Sequence, residues 1–176
     1  MAGQRRGRGR RAHLDDFVPT ADGGYRYTGQ THPYRDDRLT RRQALARLWA
    51  LAAVQAGAVA AAGCLPAPGL ANTPYVILPY VGSLLSAVGV LWLMGRLTAG
   101  GDPLPDYVYV ATVGRFGARG MLALAGPAVS AGGEALYLAL HGPGPGLASA
   151  IGFLACQGLA AAAGGVWRAV GQNLRW

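Results

Sequence analysis

Three stretches of this chain run for 18 residues or more without a charge: Leu48–Leu65, Tyr75–Gly95 and Leu147–Trp167. A fourth, Gly120–Leu140, carries a single acid, Glu134. A helix rises about 1.5 Å per residue, so ~20 apolar residues match the ~30 Å hydrocarbon core of a bilayer. Lipid offers the backbone no hydrogen-bond partner, and a spanning segment of this length must therefore be helical. The pattern predicts an all-α integral membrane protein with four transmembrane helices in an antiparallel bundle, at about 48–65, 75–95, 120–140 and 147–167. The bundle occupies 44–172. It is preceded by an Arg-rich, largely disordered tail over 1–43, interrupted by an interfacial loop at 96–119, and followed by a short end at 173–176.

The third span could begin at Val108. That start would bury Arg115 and Arg119, each costing ~2.5–3.5 kcal/mol near the membrane centre. A start at Gly120 leaves both at the interface, and that start is the one predicted. The preceding Asp106–Arg119 sets Val110, Val113 and Phe116 broadly opposite Arg115 and Arg119, as expected for a stretch lying on the inner leaflet. Gly114, Gly117 and Gly120 weaken it as a rigid helix, so a basic elbow is the alternative. The connections Pro66–Pro74 and His141–Gly146 are short and rich in Pro and Gly, which forces their flanking helices to run antiparallel.

Composition sharpens this picture. Of 176 residues 14% are charged, against about 25% in a soluble domain, and the mean hydropathy is +0.23. Met1–Arg47 holds 11 of the 16 basic residues, leaving 129 residues with only 5 Arg and 3 acids. No water-facing surface can be built from so few charges, which excludes an ordinary cytosolic globule. Two cysteines exclude a disulfide scaffold.

Charge also sets sidedness. With the N-terminus inside, segments 1–47, 96–119 and 168–176 hold all 16 Arg, and the two outer loops hold none. This is the positive-inside pattern. Trp49, Trp92, Trp167, Tyr75 and Tyr137 fall near span ends, where amphipathic rings prefer to sit. The basic residues are all Arg, as in a GC-rich genome. The expected location is a bacterial cytoplasmic (inner) membrane, with both termini cytoplasmic.

Small residues recur every four positions: Ala53/Gly57/Ala61, Gly82/Ser86, Gly126/Ser130 and Ala148/Gly152/Cys156. Helices in lipid associate through close backbone approach and interhelical hydrogen bonds. Gly57, Gly82, Gly126 and Gly152 are therefore expected at helix contacts, with Gln55 and Gln157 as polar glue near mid-depth. Pro79 and Pro127 free carbonyls one turn earlier and are expected to bend their helices.

Glu134 is the sharpest candidate for chemistry. Ser130, Glu134, Tyr137 and His141 are spaced 4, 3 and 4, one helix face leading outward. One reading makes this a proton- or cation-responsive site with His141 as outer relay. The other makes Glu134 a structural clasp, hydrogen-bonded to Tyr80, Ser83 or a carbonyl.

Thr40-Arg-Arg-Gln followed by an apolar run ending Ala61-Ala-Gly-Cys64 imitates a twin-arginine lipoprotein signal. Forty residues of preceding chain, Ala61 in place of a bulky aliphatic, and three later spans argue against cleavage. Cys64 and Cys156 differ in depth by roughly 12 Å, too far for a disulfide. Arg5, Arg6, Arg8, Arg10 and Arg11, with Arg115 and Arg119, are expected to contact anionic inner-leaflet lipids. Nucleic acid is a weaker expectation, since no aromatics interleave the basic run. The segments Tyr25–Gly29 and Pro33–Arg38 are specific enough in sequence to dock on the inner face of the bundle or on a partner. No catalytic set, cofactor motif or metal-ligand spacing is seen. The expected function is a small non-catalytic multi-pass assembly or interaction subunit, forming a homo-oligomer or joining an unlike membrane protein. The alternative is an oligomeric proton- or cation-linked transporter or channel component using Glu134.

Overall fold

The computed structural model describes residues 16–142 and 144–176, except the side chain at position 72. The expected disorder of residues 1–15 and the arginines Arg5, Arg6, Arg8, Arg10 and Arg11 lie outside the described residues. A hairpin of β1 (Phe17–Pro19) and β2 (Tyr25–Tyr27) comes first, then β3 (Thr31–His32) and α1 (Arg41–Gly63). A short α2 (Pro68–Asn72) leads into α3 (Pro74–Ala99). Next, β4 (Leu104–Pro105) pairs antiparallel with β3, and α4 (Asp106–Ala111) and a 3₁₀ turn at Val113–Arg115 follow. The long helices α5 (Phe116–His141) and α6 (Leu147–Asn173) complete the order. Four helices are long and apolar enough to cross a membrane: α1, α3, α5 (with α4 leading into it) and α6.

Local chemistry fixes the helix ends. Thr40 caps α1 by accepting the Gln43 N–H, and Gln43 accepts the Thr40 N–H in return, a capping box whose cap is worth about 1 kcal/mol. That box starts α1 seven residues before the apolar run. Pro68 and Pro74 open α2 and α3 at positions where the missing N–H costs nothing. Gly142, at φ +74°, takes the chain out of α5 in a conformation that other residues avoid. Helix α5 begins at Phe116, four residues before Gly120, and Phe116 is itself core: its ring lies 4.7 Å from that of Trp167.

Helix α5 packs on α3 and α6, and α1 packs on α6 and α3. Leu48, Met94, Leu97, Leu104, Phe116 and Trp167 form the main core at one end. Smaller clusters around Val59 and Phe153 continue it toward the other. The large side chains Leu78, Leu85, Trp92 and Leu140 point outward, each about two-thirds exposed or more. Large apolar side chains turned toward the surroundings, with small residues at the closest helix contacts, is the arrangement expected when the surrounding medium is hydrocarbon.

Glycine is required where helices touch backbone to backbone. A Cβ on Gly164 would sit 2.6 Å from the Ala123 carbonyl oxygen, and one on Gly133 2.7 Å from that of Tyr75. Gly126 lies against Ser83, and Gly152 meets only the side chain of Leu65. Gly57 and Gly82 correct the expectation, since nothing lies within 4 Å of a Cβ added at either. Ala53, Gly57 and Ala61 are exposed, and α1 turns Ala52, Gln55, Val59 and Ala62 inward instead. A spacing of four marks a face but not which way that face points.

Residues 16–40 also depart from the expected disordered tail. The β3–β4 pairing joins them to the 96–119 loop, and the Arg35 N–H donates to the Arg175 carbonyl at 3.0 Å. Gly164→Ala should lower thermal stability in detergent by about 1–3 kcal/mol, the usual cost of overpacking. Gly57→Ala should be neutral or stabilising by up to ~1 kcal/mol from helix propensity. Melting followed by circular dichroism reads both.

Candidate functional site

Pro127 has no N–H to give the carbonyl four residues earlier, that of Ala123. Gln55, fully buried on α1, fills the vacancy: its Nε2 donates to Ala123 O at 3.3 Å. The same carbonyl faces Gly164 on α6, so one freed oxygen is the meeting point of three helices. Pro79 frees the Tyr75 carbonyl in the same way, and Gly133 of α5 packs against it. Ser83 Oγ donates to the Pro79 carbonyl at 2.9 Å. Gln157 is equally buried, yet neither atom of its amide has a partner among the described residues, so the expected second strut is not formed.

The Ser130–His141 face divides into two pairs. Ser130 and Glu134 are fully buried. Ser130 Oγ donates to the Val76 carbonyl at 3.4 Å, and Glu134 Oε1 accepts the Gly69 N–H at 3.3 Å. Tyr137 and His141 pair with each other at the rim, rings stacked 4.3 Å apart, with His141 Nδ1 3.1 Å from the Tyr137 carbonyl. Among the described residues no hydrogen bond links this pair to Glu134, so the expected relay is not continuous there. The expected clasp partners are engaged elsewhere: Tyr80 donates to Val59 O and Ser83 to Pro79 O. Glu134 instead holds a backbone amide in the first turn of α2, and a Cβ on Gly69 would collide with Oε2. That second oxygen is buried without a partner among the described residues. The pattern predicts only a short loop over Pro66–Pro74, whereas the chain forms α2 there; Pro68 at a first helical position is the local signal for it.

The opposite end of the molecule gathers the Arg-rich segments. His32 Nε2 lies 3.0 Å from Asp106 Oδ1, and its ring stacks on Tyr109 at 4.0 Å. Phe17, Tyr27 and Tyr107 form an aromatic cluster, Tyr27 and Tyr107 edge to face and Phe17 tilted against both, and Tyr34 meets Trp176 at 5.1 Å. Burial lifts the Tyr34 phenol above its ordinary range, and the Asp36 carboxylate adds to the effect. Arg41 Nη2 reaches the Leu97 carbonyl, and Trp49 Nε1 donates to Thr98 Oγ1 at 2.9 Å. The 16–40, 96–119 and 168–176 segments thus form one platform. Arg115 is exposed on its 3₁₀ turn, whereas Arg119 is half-buried between α5 and α3. Both cysteines are free, Cys64 exposed and Cys156 half-buried.

No described group of three His, Cys, Asp or Glu side chains is placed to hold a metal ion. No protein family, curated protein or solved structure shows a significant match to this chain.

The strut at Ala123 has a specific signature. Gln55→Leu should destabilise the protein by about 0.6–2 kcal/mol. In a Pro127→Ala background, where the helix supplies its own N–H to Ala123 O, that loss should shrink toward zero. A double-mutant cycle on detergent unfolding measures the coupling.

Proposed function

We propose that this chain is a small non-catalytic multi-pass membrane protein with an antiparallel four-helix transmembrane bundle, acting as an assembly or interaction subunit. Its place is a bacterial inner membrane with both termini cytoplasmic. The observation that best supports this reading is how the one intramembrane acid is used: Glu134 ties α5 to α2 through the Gly69 amide. A carboxyl group so engaged is a clasp between two elements, and among the described residues no hydrogen-bonded chain of titratable groups leads to it. Sidedness is supported by the gathering of all described arginines toward the platform end, as positive-inside topology requires. Uncleaved α1 is part of this proposal, because loss of residues 1–63 would strip Leu48, Ala52, Gln55 and Val59 from the core.

One observation favours the second reading, an oligomeric proton- or cation-linked component: Glu134 Oε2 is buried and unpartnered among the described residues. Affinity purification in mild detergent separates the two. A stoichiometric unlike membrane protein supports the first, with Glu134→Gln leaving the complex intact because an amide oxygen still accepts the Gly69 N–H. A pure homo-oligomer that passes ions in liposomes, and loses that flux on Glu134→Gln, supports the second.

Sidedness has its own test. In a background lacking both native cysteines, Ala71→Cys and Gly144→Cys should react with an impermeant maleimide added outside intact spheroplasts. Ala99→Cys should react only after lysis, and the reverse pattern would invert the topology.

A further inference from the structure

An open groove of about 470 Å³ runs between α3 and α5 on the outer surface. Leu85, Leu122 and Val129 form apolar walls, and Pro79, Gly82 and Gly126 leave its floor shallow of side chains. Arg119 closes one end. Its guanidinium lies over Gly89, with Nη1 2.5 Å from where a Cβ on that glycine would be. Arg119 makes no hydrogen bond or ion pair among the described residues, and the only ion pair among them is His32–Asp106. An uncompensated cation inside a spanning segment is costly and normally marks a functional partner.

Length and charge together identify that partner. From Arg119 to Val129 is ten residues, about 15 Å of helix, or half of the ~30 Å hydrocarbon thickness. The groove is therefore one leaflet deep, with its cation at the platform end, a turn deeper than the exposed Trp92. A transmembrane helix from a partner protein would need a track twice as long. We infer that the groove is a binding site for an anionic phospholipid of the platform-side leaflet, its phosphate on Arg119 and one acyl chain lying along Leu122, Gly126 and Val129. The inference rests on the membrane reading proposed above and assigns it a defined lipid site. The exposed Arg115 sits outside the groove and takes no part.

The test uses the full chain, reconstituted in equal parts phosphatidylglycerol and phosphatidylcholine, extracted in mild detergent and weighed by native mass spectrometry. Wild type and Arg115→Gln should retain phosphatidylglycerol in preference to phosphatidylcholine. Arg119→Lys should keep that preference, and Arg119→Gln should lose it. Gly82→Leu, whose Cβ would meet nothing within 4 Å, should fill the groove and abolish retention of either lipid. Unchanged preference in Arg119→Gln, unchanged retention in Gly82→Leu, or wild type retaining no lipid would overturn the site. So would a photo-crosslinker at position 85 capturing a polypeptide in place of lipid. If Arg119→Gln does not fold, Gly82→Leu and the crosslinker decide. Failure of the membrane reading looks different: the chain would be recovered without amphiphile in the soluble fraction.

Discussion

A peptide carbonyl surrounded by hydrocarbon has no water to turn to, and this constraint organises the helices described above. In α3 and α5 a proline removes the N–H that would have satisfied the carbonyl one turn earlier. The chain answers by bringing a neighbour to the gap: the Gln55 amide donates to Ala123 O, and Gly133 lets α5 press its backbone against Tyr75 O. The sites where a helix is weakest internally are thus where it is most tightly joined to the next one. Close packing of this sort needs glycine opposite the exposed oxygen, which accounts for Gly133 and Gly164 without appeal to helix flexibility.

The same logic explains what Glu134 does. A short helix such as α2 has first-turn N–H groups with no partner of their own. Glu134 reaches one of them from α5, so the connection between α1 and α3 is stapled to the helical body by a side chain 65 residues away in sequence. A lone acid in a hydrophobic span invites a functional reading, but here its geometry is that of an acceptor meeting an amide.

Much of the architecture was legible because it depends on counts that sequence states directly: run length, the position of each Arg, and the location of Pro and Gly. The four spans, the common end for the Arg-bearing segments and the role of Gln55 follow from such counts. Facing direction did not. Gly57 and Gly82 share the spacing of Gly126, yet only tertiary contact tells that the first two look outward. The helix carrying the third apolar run starts earlier than charge alone implies, for a related reason: burial of Phe116 against Trp167 extends α5 back four residues from Gly120. The sequence marks Tyr25–Gly29 and Pro33–Arg38 as candidates to dock, but the pairings that hold the platform and α2, such as His32 with Asp106 and Glu134 with Gly69, span long separations and leave no local trace.

The platform has a consequence for biogenesis. Strand β3 has no partner until residue 104 has been synthesised, and the Arg35 amide has none until residue 175 has been. The β3–β4 pairing can therefore form once α1 and α3 have been made, whereas the Arg35 contact waits until all four long helices have been synthesised. Its closure is a final latch, set only once the last helix stands beside the first.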